Sequence, residues 1–379
     1  MRKTSTYKAA HDVAIVMEQH FLKIQEGSEK KGGFELNIPT ANIIETIIDT
    51  AFWASLRKEE GNSPKISVVF LNPERAENPL LFAEKQSLTS NLLTKLASGF
   101  ERPGIHLGIW YNDNKELYIW GSVHKIPSFC FVLDIPEPGL LIIKHRQAEE
   151  FGKFVNVAVL NGDEIKVIDE NSSLLPEGPT MLTSLLGSRL ITLQSHATNV
   201  LMQLAVSIRS HKRGGTLIIV PTNSTNWKNS IRNPIKYKMH PTFSVLGDLV
   251  VKHKIGKQPI WPVALQREID ALAGLTAIDG ATIINDQYEL LAFGAKITRL
   301  EGGKLVEHML VTEPVIGGEG FVTQPVQSGG TRHLSAAQFV HDQKDAIVLV
   351  ASQDGRFTVF AWSNVENIVQ AHRIEVLLL

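Results

Sequence analysis

Two turn-split apolar runs constrain this chain more than anything else in it. "GIHLGIWYNDNKELYIWGSV" (104–123) and "GATIINDQYELLAFGAKI" (280–297) each divide into two apolar segments about a polar Asn-Asp turn. That is the pattern of a β-hairpin. Within them, "NDNKELYIWG" (Asn112–Gly121) and "NDQYELLAFG" (Asn285–Gly294) carry Asn-Asp, Glu-Leu, an aromatic residue and Gly at identical offsets. Two readings stay open: an internal duplication, or two hairpins that use the same turn chemistry. Under either reading both halves of the chain contain sheet.

The surrounding pattern sorts into two domains. An amphipathic helix is predicted to about Gln25, then a polar connector (Glu26–Gly33), then a helix capped by Thr40 and stopped by Gly61. Apolar runs follow, broken at Pro136–Gly139 and at Asn161-Gly162, a strong hairpin turn. Roughly residues 30–170 therefore read as an α+β unit with a largely antiparallel sheet. The Ser/Pro/Gly stretch Asn171–Pro179 reads as a linker, which sets the domains at 1–178 and 179–379. The second half is α/β. A helix ends at Gly214-Gly215, and "TLIIVP" reads as a strand buried on both faces. Another helix precedes the second hairpin. A Gly-rich segment then enters a helix near Arg332, with strands on either side of Asp354-Gly355.

Composition excludes several classes. The net charge is -1, so no global basic field favours sequence-independent binding to nucleic acid. The single cysteine, Cys130, is expected to be a buried apolar thiol on a strand. No Cys/His spacing suits zinc, and no apolar run is long enough for a membrane helix. The N-terminus lacks a signal-peptide core, so the expectation is a cytoplasmic protein without a membrane partner. Trp110, Tyr111, Tyr118 and Trp120 could line a ligand pocket, but sheet core is the expected use.

Three short stretches could carry chemistry. Asp279, followed by Gly280 and Ala281, falls between a helix and an apolar strand, where a carboxylate could bind a metal or accept a proton. The other reading is a common Asp-Gly turn. In "GGTRHLSAAQFV" (Gly329–Val340), glycines lead into a helix with Thr331 as the expected N-cap. Free N–H groups, the helix dipole, Arg332 and His333 would converge there as an anion site; the alternative is an ordinary capped helix. Ser352 and Asp354, in the turn "SQDGR", could face the same site as Asp279.

Taken in order, a helix, Asp279-Gly280-Ala281 opening a hairpin, a Gly-rich loop, Gly330-Thr331-Arg332-His333 opening a helix, and a strand ending near Ser352 resemble the diadenylate cyclase domain. "HKRGGTLIIVP" is similar to that family's earlier strand, and the resemblance covers about residues 185–379. The first 180 residues look like a sensor-type module of the kind fused to such cyclases. The resemblance implies a mixed twisted sheet and condensation of two ATP into cyclic di-AMP with release of two pyrophosphates. It implies catalysis between two chains meeting face to face, hence a homo-oligomer. It places Asp279 as catalytic residue and metal ligand with Asp354, for Mg²⁺ or Mn²⁺. It places Gly280, Ala281, Gly330, Thr331, Arg332, His333 and Ser352 around ATP. The sequence departs from the family at Leu334, where an arginine is usual, and at Gln353, where an acid is frequent. Lys212, Arg213, Arg356 or a neighbouring chain's Arg332 are the cations that could compensate. The alternative function is a degenerate domain that binds nucleotide as a sensor.

Overall fold

The computed structural model describes residues 5–29, 37–146, 154–169, 200–256 and 263–379. The chain divides into two compact units, Met1–Ile168 with Leu379, and Asp169–Leu378. The linker at 171–179, the 178/179 boundary and the start of the expected helix through 181–199 lie outside the described residues.

In the first unit α1 (Lys8–Glu29) runs past Gln25 into the expected connector. Glu26 and Glu29 are good helix formers, and Gly27 does not stop the helix. α2 (Ala41–Ser55) begins after Thr40, whose extended backbone takes the cap position without a side-chain bond. It ends well before Gly61. The Ser55 hydroxyl donates to the Phe52 carbonyl (2.6 Å) and accepts from the Gly139 N–H (3.0 Å), so the turn between two strands pins the helix end. Gly61, at φ +86°, serves a separate tight turn closed by paired Glu59–Asn62 backbone bonds.

The strands are β1 (Ile66–Phe70), β2 (Leu80–Ser87), β3 (His106–Tyr111), β4 (Leu117–Val123), β5 (Val132–Glu137), β6 (Leu140–Arg146), β7 (Phe154–Asn161) and β8 (Glu164–Val167). α3 (Ser90–Phe100) connects β2 to β3. The sheet order is β2-β4-β3-β1-β5-β6-β7-β8. β1 and β3 are parallel and the other pairs antiparallel. One core joins the three helices to the sheet through residues such as Phe21, Ile48, Leu93 and Leu133. Tyr118 and Trp120 belong to a second cluster with Leu71 and Val132, and the Trp120 indole donates to the Leu71 carbonyl (2.8 Å). These aromatics are core, as expected. Cys130 differs from expectation: it precedes β5 rather than lying in a strand and is half-buried.

The second unit comprises α4 (Val200–Ser210), β9 (Gly215–Val220), β10 (Tyr237–Phe243), α5 (Val245–Gly256), α6 (Val263–Leu275), β11 (Ala281–Asn285), β12 (Leu290–Ala295), β13 (Met309–Thr312), β14 (Phe321–Thr323), α7 (Pro325–Ser328), α8 (Thr331–Asp342), β15 (Ile347–Ala351), β16 (Phe357–Ser363) and β17 (Ile368–Arg373). The sheet order is β10-β12-β11-β9-β15-β16-β17-β13-β14. Every residue of β9 is buried, as its unbroken apolar run requires. β9 pairs in parallel with β11 and antiparallel with β15. The alternation of strands and helices stops after α8, where β15, β16 and β17 form an antiparallel meander. Among the described residues no helix is long and apolar enough to cross a membrane.

Candidate functional site

The site lies where β9 and β11 begin and β15 ends. Gly215 pairs with Ala351 and Thr216 with Ala281, so Gly214, the residues before β11 and the turn after β15 share one end of the sheet. Two glycines permit this convergence. A Cβ on Gly214 (φ +69°) would lie 2.8 Å from Arg332 Nη1, and one on Gly215 would lie 2.6 Å from Thr276 Oγ1. The arginine at the start of α8 therefore rests against the glycines that open β9.

α8 starts one residue earlier than the capping pattern predicts. Gly330 is the N-cap and Thr331 the first helical residue, and the cap makes no side-chain bond. The Gly330 carbonyl accepts from His333 N–H (3.0 Å) and Leu334 N–H (3.3 Å). Helix geometry leaves the N–H groups of Thr331 and Arg332 directed outward without an intrahelical acceptor. Both side chains are exposed. A Cβ on Gly330 would meet nothing within 4 Å, so the space over the helix end is open to a ligand. An open cavity of 320 Å³ lies here, lined by Gly330, Thr331, Arg332, His333, Ser352 and the following Gln353 and Asp354.

His333 does not offer the donor expected of it. Its side chain is buried, with Nε2 3.3 Å from Thr358 Oγ1 and the ring edge-on to Phe360. A Cβ on Gly329 would strike the ring, which is why glycine precedes the cap. Burial, then Arg373, push the His333 pKa down, with Asp354 opposing and Arg356 and Arg332 adding to it. The imidazole is neutral at neutral pH and supplies no charge to an anion.

Asp279 occupies the turn just before β11 and is not among the cavity's lining residues. Its side chain is 93% exposed and forms an ion pair of 2.5 Å with Lys296, just beyond β12. The bond to Lys296 and its charge hold the carboxyl below the ordinary aspartate range, and Arg332 adds to the effect. Arg332 thus joins the two motifs: it lines the cavity at the helix end and bears electrostatically on Asp279. Lys296 escaped the sequence reading. The hairpin register exposes it, because Ala281 pairs with Ala295 and so brings the following lysine back beside Asp279.

Gly280 and Ala281 are fitted to the sheet. Gly280 has φ +115°, and a Cβ there would lie 2.5 Å from the Gly294 carbonyl carbon. Ala281 is buried within β11. Ser352 and Asp354 sit in a turn closed by Ser352 N–H to Arg356 O (2.9 Å), and the Asp354 carboxylate takes the Arg356 N–H (3.2 Å) and its guanidinium (3.4 Å). Asp354 lines the cavity and Asp279 does not. Leu334 is half-buried on α8. Among the described residues no three His, Cys, Asp or Glu side chains converge as a metal site. A divalent ion would therefore take one oxygen from Asp279 and the rest from phosphate and water, a set that suits Mg²⁺ or Mn²⁺.

The family model of the probable sensor domain DACNV matches residues 35–124, within the first unit. No curated protein matches the chain.

Proposed function

We propose that the second unit is a diadenylate cyclase, condensing two ATP into cyclic di-AMP and two pyrophosphates, and that the first unit senses a signal and regulates it. The observation that carries this reading is Arg332, which leaves the open N-terminus of α8 and rests on Gly214, at the end of the sheet where the turn holding Asp279 enters β11. A cation at a helix N-terminus, on the same sheet end as an exposed acid, suits a triphosphate held beside a reacting hydroxyl.

The Thr331 and Arg332 N–H groups, the Thr331 hydroxyl and the Arg332 guanidinium bind phosphate oxygens, with Ser352 across the cavity. A divalent ion, when bound, lowers the pKa of the ribose 3′-hydroxyl, and Asp279 is the residue that would hold it. The Lys296 ion pair orients the Asp279 carboxylate until substrate arrives. The 3′-oxygen of each ATP forms a bond to the α-phosphorus of the other and gives up its proton to solvent water, and each α-phosphorus to pyrophosphate bond breaks. The guanidinium offsets the charge that builds on the leaving group. The second unit of each chain holds one ATP, so two chains must meet and the active species is a homo-oligomer.

Leu334 supports a second reading, a domain that binds nucleotide without turnover. It supplies no cation at a position next to the cavity. Incubating the full chain with ATP and Mn²⁺ or Mg²⁺, with chromatography for cyclic di-AMP and a parallel ATP-binding measurement, separates the two. Product supports the cyclase. Bound ATP with no product under either metal leaves the sensor.

A further inference from the structure

The first unit contains a larger cavity, at the end of its sheet opposite the residues that match the second unit's site. It has a volume of 510 Å³ and opens where β1 ends and β5 begins. That volume lies in the range of small-molecule sites, which are mostly apolar with a few polar groups. Phe21, Phe70, Phe129 and Phe131 form its aromatic walls. Its polar groups are Arg75, on the short 3-10 turn after β1, and Asn37. Asn37, Phe70 and Arg75 fall inside the stretch matched by the probable sensor domain, Phe129, Cys130 and Phe131 follow it closely, and Phe21 precedes it.

Two further features mark this as a built site. Phe129 has φ +63°, a conformation that costs a bulky residue of order 1–3 kcal/mol and that persists where surroundings over-determine it. The Phe129 N–H donates to Arg146 O (2.8 Å), which holds that strained backbone and keeps the ring on the cavity wall. Cys130 lines the same cavity. Burial pushes its thiol up to about 12, against the lowering pull of Arg75, so it acts as an apolar wall atom, and the guanidinium is near enough to be felt there.

We propose that this cavity is the ligand site of the first unit and takes a small molecule with an apolar, aromatic or aliphatic body and one anionic group, the body lying among the phenylalanines and the anion meeting Arg75. The inference goes beyond the cyclase reading and does not depend on it, because its test involves no nucleotide.

Two fluorescent probes separate body from charge: 8-anilino-1-naphthalenesulfonate, and its uncharged analogue N-phenyl-1-naphthylamine. Both are expected to bind the full chain saturably. Arg75→Gln should weaken the sulfonate about tenfold and leave the amine within about twofold. Arg75 is exposed, and retained amine binding shows that the variant is folded. An Arg75→Gln variant that leaves the sulfonate's affinity unchanged, or weakens both probes equally, overturns the proposal.

Discussion

The two units of this chain are built on one strand plan, and only one of them carries the candidate cyclase site. Strands β2-β4-β3-β1-β5-β6-β7 of the first unit and β10-β12-β11-β9-β15-β16-β17 of the second follow the same order. The senses agree as well: β1–β3 and β9–β11 are parallel, while β1–β5 and β9–β15 are antiparallel. The hairpins match in their bonds. Asn112 Oδ1 accepts from the N–H groups of Asn114 and Glu116, and Asn285 Oδ1 accepts from those of Gln287 and Glu289. Shared turn chemistry alone would not repeat a seven-strand order, so the shared plan favours duplication.

The difference lies in what each copy adds. Between β12 and β15 the second unit inserts β13, β14, α7 and α8, and the Gly330–His333 run opens the last of these. The first unit passes from β4 to β5 through residues 124–131. Six residues before the hairpin asparagine, the second unit has Asp279 and the first has His106. His106 is buried against Ser67 Oγ (2.7 Å), and burial pushes its pKa down to about 4. The framework is common to both units; what the proposed cyclase reading uses is the insertion and one exposed acid.

The sharpest way to break that comparison is to exchange the paired residues. Asp279→Asn is expected to lower cyclic di-AMP formation at least about a hundredfold while ATP still binds. His106→Asn should leave turnover within about threefold and lower stability instead. A folded His106→Asn protein that binds ATP but makes no product would show that the first unit takes part in chemistry.

The hairpin glycines test how deep the likeness runs. A Cβ on Gly121 (φ +149°) would sit 1.8 Å from the Leu80 carbonyl oxygen, on backbone that cannot turn aside. Gly121→Ala is expected to cost about 3–5 kcal/mol. At the matching Gly294 (φ +62°) the nearest atom is the Tyr237 ring at 2.9 Å. That ring stacks on Phe293 at an exposed edge and can shift, so Gly294→Ala should cost about 1–2 kcal/mol. Urea unfolding resolves the two. Equal costs would mean that the hairpins share packing as well as turns.

The central strands and both hairpins were legible in the sequence because the apolar runs there are long and the turns use Asn, Asp and Gly, whose roles are local; the exposed edge strands β2 and β10, and β13, β14 and β17, were not, because they lack a long apolar run. Asp279 and Arg332 were legible as a pair through their order. Several things were not, and each is a matter of register or burial. Thr331 yielded the cap to Gly330, since a flexible residue at the cap let the helix begin one position sooner. His333 looked like a phosphate donor, but helical periodicity sends it inward beneath Arg332, toward Thr358. Lys296 needed the pairing of β11 with β12, and the cavity beside Cys130 needed three loops brought together.

Acid should separate the units next. His20 and His106 in the first unit and His372 in the second have folded pKa values pushed down to about 4 by burial. Each is below the ordinary value, so the unfolded chain binds more protons between about 4 and 6.5. The stability these groups confer is complete above pH 6.5 and is lost as pH falls toward 4. For fully buried His106 and His372 the loss is on the order of 3 kcal/mol each at most. His372 donates or accepts at Thr312 Oγ1 (2.5 Å), and its buried Nε2 has no partner among the described residues, so a proton there finds nothing to pair with. Burial also lowers His145 in the first unit and His211 and His333 in the second, but two groups reach about 4 in the first unit against one in the second, so the first should lose hydrogen-exchange protection at higher pH. Loss in the second unit first would mean that His20 and His106 stay solvated enough to charge in the folded state.

The smallest difference should lie in the asparagines that the two hairpins share. Asn285 is buried, caps two backbone N–H groups and donates from Nδ2 to Glu289 (2.5 Å). Asn112 makes the same set of bonds, with Glu116 at 3.0 Å, but is only half-buried. When alanine replaces either, the freed N–H groups must find water. Around Asn112 water can reach them, so Asn112→Ala should cost about 1 kcal/mol; around Asn285 it reaches them less readily, and Asn285→Ala should cost about 2 kcal/mol. Because Asp279 lies in the turn that leads into β11, the second variant should also raise the KM for ATP by about twofold, which Asn112→Ala should not. Equal stability costs with KM unchanged in both would mean that the turn at Asn285 has no mechanical link to Asp279, and that the site depends on Lys296 and Arg332 to hold the acid in place.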